Sequence, residues 1–435
     1  MEEPTKHILG STAVPKEITD DAKSITNIAD FGKKIEAYAS DNITNLLDIL
    51  LAGALTLEAS DLHIEPQEQN ARLRARIDGI LQDVTVFNET VYHHLVSRLK
   101  LLSKLKINIT NTPQDGRFTV FINDILIEIR TSSLPAEYGE SIVLRILNPT
   151  HFMSLESLGL RKDIYDTFIE QIQKPNGMIV VTGPTGSGKT TTLYAFLSKI
   201  QSSELKIITI EDPIEYHLKG IQQTQVAPDK GYSFSEGLRS IVRQDPDVIL
   251  VGEIRDLETA KISLQAALTG HLVLSTLHTN DAAGSIPRLV DLGEHPSSIA
   301  PALNMVVGQR LIRKVCKECS STVVPTQEEL AEIKKGLKNL PKTIEAPKDF
   351  DHIKIPKEKG CIACNFTGYR GRMGLFEIFL VDPQMEKFIL TNPSVSEIKD
   401  LLVKKGMVTM YQSGLLEVAL GETTLAEVKR VVEED

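Results

Sequence analysis

Residues 183–191 read Gly183-Pro184-Thr185-Gly186-Ser187-Gly188-Lys189-Thr190-Thr191. They follow an apolar run and match the spacing G-x-x-x-x-G-K-T, which is typical of a phosphate-binding loop between a strand and a helix. The glycines let backbone N–H groups approach phosphate oxygens, Lys189 neutralises the charge of the β- and γ-phosphates, and the Thr190 hydroxyl can bind Mg²⁺. The stretch therefore predicts a site for ATP and Mg²⁺, to which all nine residues contribute.

Short apolar runs alternate with helical stretches around this loop. This rhythm is typical of an α/β fold in which helices cover a parallel sheet, because the strands of such a sheet are buried on both faces. We expect strands at Ile179–Thr182, Ile207–Ile210, Val248–Val251 and Leu272–Thr276. The resulting ATP-binding core is predicted to span residues 151–312.

The segment before the core has a different pattern. A dense apolar stretch at residues 43–57 predicts a helix, and residues 71–77 alternate strictly between arginine and apolar side chains, as a half-buried strand does. Asp78-Gly79 then predicts a turn. We therefore expect a small α+β domain at residues 46–150, preceded by a partly ordered lead-in at residues 1–45.

Acidic side chains follow two of the predicted strands, at the edge where parallel sheets bind ligands. Glu253 follows Val248–Val251 and is expected to hold Mg²⁺ or its waters and to help orient the attacking water. Alone, such a carboxylate is more often a solvated side chain, but the phosphate-binding loop in the same sheet favours catalysis. Glu211, Asp212 and Glu215 are candidates for the general base, with Glu215 and Glu211 ranked above Asp212.

His278 follows the fourth predicted strand, beside the other strand-end motifs. A histidine at this place can contact the γ-phosphate and report whether it is present. A lone histidine is more often a structural residue, but the position at a strand end favours the catalytic interpretation.

The chain has four cysteines, which form two C-x-x-C pairs: Cys316, Cys319, Cys361 and Cys364. This spacing predicts a tetrahedral, structural Zn²⁺ site, although the gap between the pairs exceeds the ~15 to 20 residues of common zinc ribbons. Four free thiols are the alternative. We interpret residues 313–375 as a zinc-binding insertion.

The C-terminal segment, residues 376–435, is predicted to be helical. Its sequence contains the capping-box pattern twice, as Ser394 with Glu397 and as Thr424 with Glu427. In this pattern the first side chain caps a helix and the glutamate reaches back to the N–H group of the cap residue.

Arginines can also contribute, because an arginine from a neighbouring subunit can stabilise the charge that develops during phosphoryl transfer. The candidates are Arg72, Arg74, Arg76, Arg117, Arg130, Arg239 and Arg243. For each one alone, a solvated strand face or helix surface is the ordinary alternative. As a set they indicate an oligomer with shared sites.

Composition restricts the partners and the location. The formal net charge of -10 argues against broad electrostatic binding to nucleic acid, so DNA or RNA is not expected as a partner. No run approaches the ~20 apolar residues that cross a bilayer, and the first residues lack the pattern of a secretory signal. A cytoplasmic location is expected.

The motifs, in this order, resemble those of the secretion ATPase superfamily, in particular the type II secretion and type IV pilus assembly ATPases. The resemblance covers residues 46–435 and includes the cysteine-containing stretch Gly360–Arg372, which is similar to that of the assembly group. Besides the phosphate-binding loop, the matching stretches are Ser60–Pro66, Arg74–Gly79, Gln114–Arg117, Gly139–Arg145, Ile210–Glu215, Arg243–Asp256 and Thr269–Asp281.

The resemblance implies a RecA-like core preceded by a PAS-like domain, and homo-hexameric rings that bind ATP between these domains. The strands that carry Arg74, Arg76, Arg117 and Arg130 would then lie near the nucleotide. It also implies that ATP hydrolysis powers assembly of a type IV pilus or a type II secretion pseudopilus, through an inner-membrane platform protein at the cytoplasmic face. Two other functions fit the motifs: a RecA-like motor that moves on nucleic acid, and a nucleotide-binding scaffold that does not hydrolyse ATP.

Overall fold

The computed structural model describes residues 11–40, 42–123, 125–149, 153–341, 344 and 352–432. The chain divides into two compact units. The first contains the residues up to His151 together with Lys359–Arg370, and the second contains Phe152–Glu358 and Gly371–Asp435. The first division lies close to the predicted boundary at residue 150, whereas the predicted zinc-binding insertion has residues in both units.

Within its described residues, the first unit contains a seven-stranded sheet and four α-helices. Its sheet has the order β1-β5-β6-β7-β2-β3-β4. The strands are β1 (Ser11–Ala13), β2 (Asp61–Pro66), β3 (Asn70–Ile77), β4 (Ile80–Asn88), β5 (Gln114–Ile122), β6 (Ile125–Ala136) and β7 (Gly139–Leu147). The helices are α1 (Lys16–Ala22), α2 (Ile28–Tyr38), α3 (Ile43–Thr56) and α4 (Glu89–Leu102).

Strict alternation in β3 decides which side of this sheet is buried. The apolar residues of β3 belong to the core that the helices share, whereas its three arginines stay partly exposed on the other face. Asp78 and Gly79 join β3 to β4 with φ of +49° and +82°, which are values of a tight hairpin turn. Periodicity therefore places the charged face and the core face of the sheet correctly.

Residues of the predicted lead-in belong to the first unit. The strand β1 pairs in parallel with β5, with Ser11 opposite Thr119. Phe31 and Ile35 of α2 are completely buried in the same core as the sheet. Strand β1 is therefore part of the sheet, and α2 is held against the core of the first unit by its buried apolar side chains.

The second unit contains a second seven-stranded sheet, of order β10-β9-β11-β12-β8-β13-β16, and a small two-stranded sheet, β14-β15. The strands are β8 (Gly177–Thr182), β9 (Ile207–Glu211), β10 (Gln222–Gln225), β11 (Val248–Val251), β12 (Leu272–Leu277), β13 (Leu303–Val315), β14 (Ser321–Val323), β15 (Ile355–Lys357) and β16 (Tyr369–Leu380). The pairs from β10 to β13 are all parallel.

Helices cover this parallel sheet and form the C-terminal segment. They are α5 (Lys162–Ile172), α6 (Lys189–Ile200), α7 (Phe234–Val242), α8 (Leu257–Leu268), α9 (Ser285–Asp291), α10 (Pro296–Ala302), α11 (Gln327–Leu337), α12 (Pro383–Ile389), α13 (Val395–Lys404), α14 (Met410–Ala419) and α15 (Leu425–Val431). The mixed α/β fold with a parallel sheet and a helical C-terminal segment is as predicted. The expected boundaries at 312 and 375 fall inside β13 and β16, because both strands belong to the main sheet. None of the helices in the described ranges combines the length and apolar character that crossing a membrane requires.

The two predicted capping boxes have different structures. Ser394 and Glu397 form the reciprocal pair at the start of α13. At α15, Thr424 accepts a hydrogen bond from the N–H group of Glu427, but the carboxylate of Glu427 binds Arg313 and Arg430 at 2.6 Å each. Ion pairing with Arg313, 114 residues earlier in the chain, explains this difference.

This ion-paired carboxylate makes a pH-dependent contribution to stability. Burial opposes ionisation of Glu427, but hydrogen bonds from Arg430 and Arg313 outweigh it and lower its pKa from 4.5 to about 2. Because the pKa is lower in the folded state, the stabilisation is present above pH 4.5 and is lost as the pH falls towards 2. Glu427→Gln should therefore destabilise the second unit by about 2 kcal/mol at pH 7 and much less near pH 2.

Thermal unfolding at both pH values measures this difference. Glu422→Gln is the matched control, since Glu422 is more exposed and lies 3.9 Å from its partner Lys314. Such surface pairs contribute little to stability. Equal destabilisation by both variants, or an effect of Glu427→Gln that persists at pH 2, would contradict the prediction.

Candidate functional site

The loop that connects β8 to α6 follows a path that side chains would obstruct. Gly183, Gly186 and Gly188 have φ of +147°, +80° and +88°. A Cβ atom on Gly183 would lie 2.3 Å from the carbonyl oxygen of Gln309 in β13, and one on Gly188 would lie 2.8 Å from its Nε2 atom. Conformation and the closeness of β13 thus both require glycine at positions 183 and 188.

Lys189 opens α6, and its ammonium group lies over the loop. Its Nζ atom donates hydrogen bonds to the carbonyl oxygens of Gly183 at 2.8 Å and Pro184 at 3.1 Å. Burial lowers the pKa of Lys189, the Glu253 carboxylate raises it, and Arg310 lowers it further, so that the net shift is downward. Both of these charged groups therefore act electrostatically on the lysine.

A buried hydroxyl in the same loop indicates what the loop can bind. The Oγ atom of Ser187 is buried and has no hydrogen-bond partner among the described residues. Thr190 and Thr191 are half-buried at the start of α6, while Pro184 and Thr185 are exposed. Since buried polar atoms are normally satisfied, and since helix N-termini bind anions, the residues present fit a phosphate group.

Glu253 and His278 lie together at the carboxyl ends of adjacent strands. Glu253 follows β11 and is buried. One of its oxygens is 2.6 Å from Arg255, and the other is 3.3 Å from Nε2 of His278, which follows β12. The arrangement places a carboxylate between two basic side chains at the edge of the sheet where the phosphate-binding loop begins.

The loop that carries His278 is tied to the phosphate-binding loop. The hydroxyl of Thr182, the last residue of β8, accepts a hydrogen bond from the N–H group of Thr279 at 2.9 Å. Arg310 of β13 donates to the carbonyl oxygen of Asn280 at 2.9 Å. His278 therefore lies in a loop held from two neighbouring strands.

The acidic residues at the end of β9 and in the loop after it have different surroundings. Glu211 is buried and accepts hydrogen bonds from Thr209, Tyr194 and Gln223. Burial raises the pKa of Glu211, and these hydrogen bonds lower it without cancelling the rise. Glu215 is half-buried and Asp212 is exposed. Three donors on Glu211 favour a structural role for that carboxylate over contact with water.

Four polar residues near these loops were not predicted from the sequence: Tyr194, Gln309, Arg310 and Glu377. Gln309 accepts a hydrogen bond from Thr192 of α6 at 2.9 Å. Glu377 of β16 is buried and accepts hydrogen bonds from the N–H groups of Ala282, four residues after His278, and Met410, the first residue of α14. The only signal in the sequence is a polar residue within an apolar stretch, which does not identify a partner.

Three of the predicted arginines of the first unit, Arg76, Arg117 and Arg130, form part of one row across its sheet. Arg117 lies opposite Arg130, which lies opposite Arg145. The row continues through Asp61 of β2 to Arg76 of β3. Residues directly opposite each other point to the same side of a sheet. The row thus joins four arginines and one aspartate on the face that the helices do not cover.

Ion pairs hold several of these arginines in place. Arg74 donates to Glu65, and Arg76 lies 3.3 Å from Asp61. Arg130 lies 3.5 Å from Glu128. In the second unit, Arg239 pairs with Glu258, and Arg243 donates to Ser240.

The four cysteines come together as predicted for a metal site. The sulfur atoms of Cys316, Cys319, Cys361 and Cys364 lie within 4.8 Å of one another. The sulfur of Cys364 accepts hydrogen bonds from the N–H groups of Cys361 and Gly368, at 3.1 and 3.3 Å. Four thiolate donors with backbone N–H bonds to sulfur are the ligand set of structural zinc.

Comparison with known families gives an independent result. The family model described as Type II/IV secretion system protein matches residues 36–430. Type II secretion system protein E of Dickeya dadantii is 44% identical over 394 residues, which are 90% of this chain and 76% of that protein. The type IV pilus assembly ATPase PilB of Thermus thermophilus is 42% identical over 376 residues, which are 86% of this chain and 41% of that protein.

Solved structures show the same architecture. The crystal structure of the pilus retraction motor PilT with bound ADP has a TM-score of 0.59 and 27% identity, and it covers 88% of this chain and 96% of PilT. The ATPase DotB of Legionella pneumophila is similar in fold, with a TM-score of 0.63 and 23% identity over 88% of this chain and 94% of DotB.

Proposed function

The chain belongs to the Type II/IV secretion system protein family, and from this premise we propose that it works as a ring of six copies. It is an ATPase of the type II secretion and type IV pilus assembly class. In the proposed ring, ATP hydrolysis moves domains against each other and so drives assembly of a pilus or a secretion pseudopilus. The grouping of Lys189, Glu253 and His278 around one phosphate-binding loop is the observation that supports ATP hydrolysis at this site.

Binding of ATP would use the loop from Gly183 to Thr191. The ammonium group of Lys189 and the hydroxyl of Ser187 would turn from the loop to the phosphates, and Thr190 with Glu253 would hold Mg²⁺. The metal would neutralise the charge on the β- and γ-phosphate oxygens. Burial, which lowers the pKa of Lys189, also strengthens its interaction with an anion.

Hydrolysis transfers the γ-phosphoryl group to water, and the bond to the bridging oxygen of ADP breaks. We assign the proton of the attacking water to Glu215 rather than Glu211, because Glu211 already accepts three hydrogen bonds. Glu253 orients the water, and His278 responds to the γ-phosphate. Asp212 remains exposed and has no assigned role.

Arginines on the sheet face of the first unit that the helices do not cover give the proposed ring its shared sites. Arg74, Arg76, Arg117 and Arg130 would reach the nucleotide of a neighbouring copy, where positive charge stabilises the transition state. This assignment is supported by their place on the sheet face without helices and by the cross-strand pair of Arg117 and Arg130. We further propose that the first unit is PAS-like and that the second contains a RecA-like core.

Two further assignments complete the proposal. The four cysteines would bind one structural Zn²⁺, which fits their number, spacing and mutual distances. The ring would lie at the cytoplasmic face of the inner membrane, bound through a membrane platform protein, as the resemblance to assembly ATPases implies. A pull-down with that platform protein as bait tests this location.

Mixing two inactive variants tests whether copies share sites. Lys189→Ala and Arg130→Ala should each lose most phosphate release, but a 1:1 mixture should recover about a quarter of wild-type activity. Random assembly would place an intact lysine beside an intact neighbouring arginine at about one site in four. Sedimentation in the presence of a non-hydrolysable ATP analogue should show the mass of six 48.1-kDa chains.

The control mixture contains Lys189→Ala and Glu253→Gln. Lys189 and Glu253 belong to the same chain's half of the site, so every copy carries one defect there, and no recovery is expected. If the first mixture also showed no recovery at any ratio, the arginine would act within its own chain. A monomer at all concentrations would contradict the ring.

A further inference from the structure

Tyr194 is a buried tyrosine on the helix that carries Lys189. It lies five residues after Lys189 in α6 and is 1% exposed. Its hydroxyl donates a hydrogen bond to one carboxylate oxygen of Glu211 and accepts one from the N–H group of Glu215 at 3.3 Å. One phenol oxygen thus contacts the Glu211 carboxylate at the end of β9 and the backbone N–H group of Glu215 in the loop that follows.

The carboxylate of Glu211 is fixed on its other side. Its second oxygen accepts hydrogen bonds from Thr209 at 2.6 Å and from Gln223 at 3.1 Å. Thr209 lies in β9 and Gln223 lies in the adjacent strand β10, so both donors belong to the parallel sheet. Glu211 therefore offers Tyr194 a rigid acceptor.

Gln223 and the ring of Tyr194 hold the rest of the loop. Gln223 donates to the carbonyl oxygen of Tyr216 at 2.9 Å and accepts from the N–H group of Leu218 at 2.7 Å. The rings of Tyr194 and Tyr216 meet edge to face, with centroids 6.2 Å apart and planes at 73°. The segment from Glu215 to Leu218 is thereby attached to β10 and to α6.

We propose that Tyr194 is a positioning residue that sets the place of Glu215 relative to Lys189. Its hydroxyl is a direct link from the helix at the phosphate-binding loop to the backbone of Glu215. A displacement of α6 on nucleotide binding would therefore be passed to Glu215. This inference rests on the proposed function, in which Glu215 accepts a proton from the attacking water.

The variant Tyr194→Phe removes one oxygen atom and keeps the ring. We expect kcat to fall about tenfold, because Glu215 would no longer be held in place, while the KM for ATP changes less than about twofold. A merely structural role would instead lower the amount of folded protein, which thermal unfolding of the same sample measures.

A double-mutant cycle tests whether the effect passes through Glu215. In the Glu215→Gln background, adding Tyr194→Phe should lower phosphate release by less than about twofold, since the group that Tyr194 positions is already inactive. Tyr92→Phe is the matched control: the Tyr92 hydroxyl is likewise buried, donates one hydrogen bond, to the carbonyl oxygen of Glu140, and accepts one, from the N–H group of Glu140 in the first unit. That variant should lower stability without lowering kcat.

The outcomes separate this inference from the proposed function. If Tyr194→Phe lowered kcat tenfold in both the wild-type and the Glu215→Gln background, or raised KM at constant kcat, the positioning role of Tyr194 would be overturned. The assignment of Glu215 as the base would be unaffected. Wild-type phosphate release by Glu215→Gln alone would overturn the base assignment and the inference with it. Should Tyr194→Phe fail to fold, Glu211→Gln is the second variant, because it weakens the hydrogen bond that Tyr194 donates. Its effect on kcat must likewise be smaller in the Glu215→Gln background than in the wild type.

Discussion

The variant Glu253→Gln should lower ATP hydrolysis at least about a hundredfold and leave nucleotide binding nearly unchanged. The substitution keeps the shape of the side chain but removes its charge. Glu253 is buried, it contacts Arg255 and His278, and its charge acts on Lys189. A hundredfold loss corresponds to about 2.7 kcal/mol of transition-state stabilisation, which a group that binds Mg²⁺ and orients water can supply.

Phosphate release at saturating ATP and the affinity for a fluorescent ATP analogue measure the two quantities separately. Glu258→Gln is the matched control: it removes the same charge five residues later, from a half-exposed side chain that pairs with Arg239 on the surface of the second unit. This control should retain nearly wild-type hydrolysis. Near-wild-type phosphate release by Glu253→Gln would rule out the proposed role of this carboxylate.

Removal of zinc should open the segments that carry the cysteines while the two sheets remain folded. The cysteine pairs are separated by 41 residues, and none of the described residues between them belongs to the main sheet. A bound metal would hold the two cysteine-containing segments together. Without it, only side-chain packing would remain to stabilise their folded conformation. We expect amide protection in residues 316–323 and 355–370 to fall by at least about a hundredfold on loss of the metal.

Hydrogen exchange of the purified protein, before and after chelation, measures this effect. Cys364→Ser should reproduce it, because Cys364 is a buried member of the cluster. Ser320→Ala, beside Cys319, is the control and should leave both the metal content and the protection unchanged. A purified protein without about one zinc ion per chain, or equal loss of protection throughout both sheets, would contradict the prediction.

The strands and the residues at their ends could be predicted, because both depend on local patterns. The run at Val248–Val251 is apolar throughout and that at Leu272–Thr276 is mostly apolar, and every residue of both runs is buried, as in strands covered on both faces. Parallel strands place their carboxyl ends at one edge, so Glu253 and His278 were expected to be neighbours. Their contact at 3.3 Å agrees with that expectation.

Contacts between distant segments could not be predicted from such patterns. Gln309 bonds Thr192 across 117 residues, and Glu427 binds Arg313 across 114. No periodicity relates such pairs, since they depend on the packing of β13 against α6 and α15. For the same reason, the sequence favoured Glu211 and Glu215 equally as candidates for the general base. It contains both carboxylates, but it does not indicate that three hydrogen-bond donors surround Glu211 in the fold.

The parallel pairing of β1 with β5 has a consequence for synthesis of the chain. Ser11 leaves the ribosome 108 residues before its partner Thr119, whereas β2, β3 and β4 are joined by short connections and can pair soon after they emerge. The earliest of the described strands is thus among the last strands of its sheet to find a partner. Until β5 has been synthesised, β1 lacks its pairing partner, and Val14, whose N–H group donates to the carbonyl oxygen of Phe121 in β5, is not yet buried. The nascent chain therefore exposes apolar surface during the interval in which chaperones act.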